Sequence, residues 1–337
     1  MADGQKIEGG EITPAHWQNW PGLLKWSMQY QDGTANSSLE AMSKEKKEWL
    51  QKVMKELSHS EVDVIGDAMK VLVKYSDLYF EPTVPDKVLA ELSSVQMNET
   101  KKALERILSV VDNVDNANDL IPLGTLEMLI GLLRSKYSEV QSLAAQVIGE
   151  AAQNNPTVQA YLMDKGGLTS LIHLLQSDSA ECATSALTAI SSFIRSNLAG
   201  TLIFTEINGW FKVAECIEAH KQNDRLVKKG VFLIDCVAGQ NPAIVQSFHN
   251  IRIVELLVEL ATEPERDIFI KEMCFTTLAA ISGAPAGASL IRRQPDLTKI
   301  LTAARVEYNE MSTEDQDSHR ELSEALPIIL RAYLSKE

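Results

Sequence analysis

The side chains with which this chain could do chemistry are six histidines, four cysteines and a few close pairs of acids, and their spacing commits none of them to a reaction. His16, His59, His173, His220, His249 and His319 are scattered without the spacing that gathers imidazoles around a metal ion. Cys182, Cys216, Cys236 and Cys274 form no CxxC and fall within helical runs, so they read as reduced residues of a core or groove. Glu263/Glu265 and Asp315/Asp317 read as acids at helix starts, where negative charge suits the helix dipole. GxSxG, P-loop, GxGxxG and HExxH patterns are missing. No catalytic residue, cofactor site or metal site is expected, and the chain does not read as an enzyme. Any function must then reside in a binding surface, which the scaffold has to position.

The scaffold is legible as a repeat. Asn113, Asn155, Asn197, Asn241 and Ala284 anchor five copies separated by 42, 42, 44 and 43 residues. Thirteen residues after each anchor begins an apolar series at helical spacing: Leu126/Leu129/Leu132, Leu168/Leu171/Leu174, Trp210/Val213/Cys216, Val254/Leu257/Leu260 and Leu297/Ile300/Ala303. Each full copy divides into a short helix after the anchor (157–164 in the clearest case), a breaker such as Lys165-Gly166-Gly167, a second helix (168–175), and a longer third helix. The third helices are predicted over 139–153, 180–196, 225–238 and 267–282. Three helices per copy of about 42 residues mean an armadillo array, an all-α solenoid in which neighbouring copies stack because none can bury its own apolar face.

Domain limits follow. Residues 1–42 read as a flexible segment, 43–112 as an N-terminal helical cap with helices at 43–57, 61–76, 86–93 and 97–111, 113–284 as the repeats, and 285–337 as a C-terminal cap whose last helix opens at Ser312-Thr313-Glu314 and runs to about Leu334. A hydrophobic content of 45% with only 6% aromatics suits helices packed with Leu, Ile, Val and Ala. The net charge of −14 argues against a nucleic-acid partner, which needs a basic footprint. No signal-peptide stretch or membrane-length run is present, so a cytosolic monomer with no membrane contact is expected.

In such an array the third helices line a groove, and residues there that the core does not use are free to meet a partner. One row is Gln146, Thr188, Phe232 and Thr276; the row a turn further on is Glu150, Ser192, Cys236 and Ala280; Arg195, Lys228, Lys229, Lys271 and Glu272 flank them. Phe232 has two readings, an aromatic facing the groove or one tucked against the next third helix. Armadillo proteins that bind extended peptides carry Trp and Asn at these two row positions, and no copy here does, so a folded partner is expected. A second candidate surface is Leu23-Leu24-Lys25-Trp26 within a stretch holding three of the five tryptophans. It reads either as a short helix folded back on the array or as a linear motif that docks on a partner.

Leu23-Leu24-Lys25-Trp26-Ser27 followed by Asp32-Gly33-Thr34, then Asp115-Asn116-Ala117-Asn118-Asp119-Leu120, Gln153-Asn154-Asn155-Pro156 and Ser191-Ser192-Phe193-Ile194-Arg195-Ser196-Asn197, resemble the armadillo-type nucleotide exchange factors of heat shock protein 70 over residues 20 to 240. That resemblance implies that the groove embraces the outer lobe of the chaperone's ATPase domain and promotes ADP release. It also implies that Leu23, Leu24, Lys25 and Trp26 compete for the chaperone's peptide groove and help release clients. The other class left open is a generic armadillo scaffold or adaptor without exchange activity, against which the lack of a second module such as a U-box counts.

Overall fold

In the computed structural model of the protein the chain divides into two compact units, residues 1–58 and 59–337. The structure describes residues 61–81, 91–195 and 197–335, all in the second unit. The expected helix at 43–57, most of that at 86–93, and the Leu23 to Trp26 motif lie outside the described residues; residues 91–93 are not helical.

No strand occurs among the described residues. The helices are α1 (Glu61–Lys74), α2 (Ser94–Leu108), α3 (Val114–Asp119), α4 (Thr125–Leu132), α5 (Ser138–Ala152), α6 (Pro156–Asp164), α7 (Gly167–Leu174), α8 (Ala180–Ile194), α9 (Leu198–Glu206), α10 (Gly209–Ala219), α11 (Asp224–Gln240), α12 (Ile253–Thr262), α13 (Ile268–Ser282), α14 (Pro285–Arg292), α15 (Leu297–Glu310), α16 (Thr313–Ser318) and α17 (Arg320–Leu334). In the fourth copy a 3₁₀ helix, Pro242–Asn250, stands where the other copies have their first α-helix.

The anchors of the sequence repeat have two jobs. Asn113, Asn155 and Asn197 cap α3, α6 and α9 by accepting from the amides of Asp115, Val158 and Gly200. They also tie copies together: Asn155 Nδ2 donates to Asn118 Oδ1 at 3.1 Å and Asn197 Nδ2 to Gln159 Oε1 at 3.0 Å. Gln159 Nε2 in turn donates to the carbonyls of Ala152 and Ser192. This ladder satisfies polar atoms that are buried between stacked triplets, where an unpaired one would be costly. It explains why Asn118 belongs to the DNANDL stretch. Asn241 makes no side-chain cap.

A second recurring device sets the entry of each second helix. Gly124, Gly166, Asn208 and Asp296 all adopt left-handed backbone, with φ of 69°, 71°, 59° and 54°, immediately before α4, α7, α10 and α15. Glycine takes this conformation without steric cost and Asn or Asp tolerates it better than other residues. The fourth copy breaks the rule with Arg252 at φ −75°.

The long helices stack in the order α2, α5, α8, α11, α13, α17, each against the next. Between α5 and α8 the approach is close enough that a Cβ on Gly149 would meet Ala189 Cα at 3.0 Å. Two expectations change here. The helix read at 97–111 as part of a cap begins at Ser94, closed by a capping box between Ser93 and Gln96, and stands in the third-helix row. The single last helix breaks at His319 into α16, capped by Ser312 as expected, and α17, which packs on α13, α14 and α15 and so completes the fifth triplet while ending the stack.

Candidate functional site

The ends and exposed faces of α2, α5, α8 and α11 enclose an open groove of about 540 Å³. Gly149 forms part of its floor, so the backbone rather than a side chain borders the groove there. Among the predicted residues the structure brings together Gln146, Glu150, Thr188, Ser192 and Lys229. Sequence reasoning missed Leu108, Ser109 and Asp112, because their helix was assigned to a cap, and also Gln153, Thr184, Ser185 and Arg225. Arg225 lies one helical turn before the predicted Lys229 and so on the same face of α11, a spacing the sequence already shows.

The lining is polar but largely self-satisfied in its middle. Ser142 and Ser185 hydroxyls are 3.0 Å apart across α5 and α8, and Gln146 Nε2 donates to both. Thr184 and Thr188 donate back to the carbonyls of Ala180 and Thr184 within their own helix. The rims are different. Asp112 and Glu150 stand exposed on the α2 and α5 side, Arg225 and Lys229 exposed on the α11 side, and none of the four is in an ion pair among the described residues. The groove is therefore negative along one rim and positive along the other, with hydroxyls between.

Further along α11, Phe232 is 40% exposed, and the guanidinium of Arg195 lies over its ring at 5.5 Å. Arg195 caps the preceding third helix, so part of the ring's cover comes from that side. Arg195 also sits by Cys236, where burial pushes the thiol up from its ordinary value and the nearby guanidinium opposes that shift. Lys228 leaves the groove's pocket: its Nζ is 3.7 Å from Asp267 and 6.0 Å from the centre of the Phe269 ring.

Two predicted groove residues are corrected. Lys271 and Glu272 are each only 8% exposed. Lys271 Nζ donates to Glu307 Oε1 at 2.9 Å, and Glu272 accepts from the Leu322 amide at 3.1 Å and contacts His319 Nδ1 at 2.7 Å. Leu322 lies in the first turn of α17, so Glu272 caps that helix from a neighbouring one; the N-terminal dipole stabilises the buried carboxylate. The sequence register placed both residues beside the row but could not show that α15 brings Glu307 to Lys271 and that α17 packs over Glu272. Thr276 is half-buried and donates to the Met273 carbonyl. Glu263, expected at a helix start, instead ends α12 and grips the buried Arg266, which also donates to Asp224 Oδ1 at 2.8 Å.

All four cysteines are free thiols; Cys182, Cys216 and Cys274 are buried, and burial pushes Cys216 and Cys274 up to about 12. Asp235, half-buried on α11, is also pushed up by burial, against a hydrogen bond from Thr277. No group of three His, Cys, Asp or Glu side chains among the described residues could hold a metal ion. No helix among the described residues is long and apolar enough to cross a membrane. The groove thus offers shape and exposed charge of both signs, with the exposed Phe232 ring further along α11, which suits recognition of a protein surface.

Comparison with known proteins agrees with this architecture. Residues 116–247 match the family model of the SIL1/FES1/HPBP1 C-terminal domain, and residues 21–120 match that of the nucleotide exchange factor Fes1. The chain is 28% identical over 285 residues to Hsp70-binding protein 1 of Rattus norvegicus, covering 83% of this chain and 76% of the relative. It is 29% identical over 230 residues to the Hsp70 nucleotide exchange factor fes1 of Schizosaccharomyces pombe, covering 66% of this chain and 78% of the relative. Among solved structures, the designed armadillo repeat protein YIII(Dq)4CqI superposes with a TM-score of 0.58 at 18% identity, over 80% of this chain and 99% of the design, a likeness of fold alone. The two family matches meet at residues 116–120 and between them run from 21 to 247, so that the first entry helices, the Asn ladder and the whole groove lie inside them: the chain belongs to the SIL1/FES1/HPBP1 family of armadillo-type nucleotide exchange factors.

Proposed function

We propose that the chain is a co-chaperone that binds the ATPase domain of heat shock protein 70 through the groove of α2, α5, α8 and α11 and promotes ADP release. The observation that carries this reading is the groove itself: two charged rims of opposite sign facing solvent, with threonine hydroxyls between them already bonded to their own backbone. Such a surface has charge to offer a folded partner and no chemistry to offer a small substrate.

The physical account needs nothing more. A binder that prefers an opened arrangement of the ATPase lobes shifts the chaperone's population toward it, and ADP, held from both sides, leaves. The coupling is reciprocal, so ADP weakens the binder by the same factor by which the binder weakens ADP. The chain takes no part in hydrolysis. Gln146, Glu150, Thr188, Ser192, Arg195, Lys229 and Phe232 are the contact residues on this reading, with Asp112 and Arg225 added. Leu23, Leu24, Lys25 and Trp26 are assigned to client release, and the protein acts as a monomer in the cytosol.

The test is release of fluorescent ADP from the chaperone's ATPase domain with and without the purified chain. Faster release is expected, with no phosphate produced by the chain alone. The double reversal Arg225→Glu/Lys229→Glu should weaken the complex by about tenfold, because reversing a rim sets like charge against like. Binding without any change in release would favour the scaffold reading; an unaffected double reversal would put the contact on another face. Separately, a Leu23→Ala/Leu24→Ala/Trp26→Ala variant should accelerate ADP release normally and release client slowly.

A further inference from the structure

The third copy carries an apolar face that its own fold does not use. Along α9, Leu198, Leu202 and Glu206 recur every four residues and form one exposed line. Ala199, Ile203 and Ile207 form a second line beside it, and Phe211 is exposed just past the turn, on α10. Leu198 is 61% exposed, Leu202 47% and Phe211 42%, and none of these residues lines the groove. The inward face of the same helix is complete without them, through Gly200, Thr201 and Phe204.

Comparison of equivalent positions shows that the array does not require apolar residues here. Where the third copy has Leu198, Leu202, Ile207 and Phe211, the second has Pro156, Ala160, Lys165 and Thr169, and the fourth has Pro242, Gln246, Ile251 and Glu255. The five large side chains expose on the order of 400 Å², the size of patch that commonly marks an interaction site on a monomer. That is about half of what each partner buries in a stable protein–protein interface.

The chemistry of an occupant is set by Glu206. Its carboxylate closes the first line, one turn beyond Leu202 and Ile203, and is in no ion pair among the described residues. The nearest cation in sequence, Lys212, is engaged by Glu215 at 2.8 Å and lies over the Phe211 ring. A cover of purely apolar character would strand a charge, at a cost exceeding the gain from the neighbouring leucines. A second copy docking about a two-fold axis would bring this acid toward the same acid-bearing face, with no cation to receive it.

We propose that the face of α9 and Phe211 is a second docking surface, distinct from the groove, for a short amphipathic segment of another protein that places a basic residue among apolar ones. Glu206 receives the basic residue, and the apolar members of the two lines receive the apolar side chains in the manner of helix-on-helix recognition. The site is small, so the interaction is weak alone and suited to a segment tethered to a partner held elsewhere.

The test uses the full chain and two fluorescein-labelled synthetic helical peptides, one with leucine on one face flanked by lysine, the other identical but with glutamate for lysine. Anisotropy titration should show saturable binding of the lysine peptide, preferred over the glutamate peptide by about tenfold. Leu202→Ser/Ile203→Ser should abolish that binding and Glu206→Lys should invert the preference, with helicity and stimulation of ADP release unchanged in both. The proposal is overturned by no saturable binding, by binding that survives Leu202→Ser/Ile203→Ser, or by sedimentation showing a self-association that the same pair of substitutions removes, which would make the occupant a second copy.

Discussion

Replacing Phe232 with alanine measures how much of the affinity for a partner comes from the exposed aromatic further along α11. The side chain is 40% exposed, so a partner covering it would bury on the order of 90 Å² of further apolar surface; at about 25 cal/mol per Å² that is ~2 kcal/mol, or roughly thirty-fold in Kd. The Arg195 guanidinium at 5.5 Å would lose its stacking face as well, which frees it to move and adds to the loss. Since over half of the ring is covered in the free chain, some stability also goes, about 1 kcal/mol, and thermal melting separates this from the effect on binding. Titration calorimetry against the ATPase domain of heat shock protein 70 should show the Kd rise, with ADP release at saturating concentrations near the unmodified rate. Phe232→Tyr, which keeps the ring, should stay within a few-fold. A Kd for Phe232→Ala within two-fold of the unmodified chain would refute the reasoning and place the ring outside the contact.

Other consequences follow from the packing. A Cβ on Gly287 would fall on the carbonyl oxygen of Ile281, a backbone atom that cannot step aside, so Gly287→Ala should cost roughly 2 kcal/mol or more of stability and lower the melting temperature accordingly; a melt unchanged within error would contradict the α13–α14 geometry. Glu272→Ala leaves the Leu322 amide and His319 without their buried partner, and the expected loss of about 2–3 kcal/mol should appear as faster hydrogen exchange at the start of α17. Equal protection in both chains would show that α17 is held by apolar contacts alone. Thiol titration at pH 8 should modify Cys236 ahead of the other three, while Cys216 and Cys274, pushed up to about 12 by burial, react only on unfolding. Asp235→Asn should raise stability at neutral pH: burial raises this carboxyl in the folded state, so its charged form is penalised there and not in the unfolded chain, and the benefit fades as pH falls through the raised value toward the ordinary one.

The repeat determined most of the fold. Anchors that cap a helix and apolar residues at three and four are local properties, so the third helices predicted at 139–153, 180–196 and 267–282 fall within two residues of α5, α8 and α13. The shared register also sufficed to gather Gln146, Glu150, Thr188 and Ser192 on one surface, because stacked copies repeat their geometry. What the register could not supply is the neighbour that each end of the stack receives. Lys271 and Glu272 look like groove residues until Glu307 of α15 engages the one and α17 packs over the other, and α17 is positioned by a break at His319 that no periodicity announces. Asp112 looks like a cap residue until α2 takes its place in the row. The charge polarity of the groove likewise belongs to the tertiary structure, since the residues of its two rims lie far apart in sequence and acquire a common field only when the triplets stack.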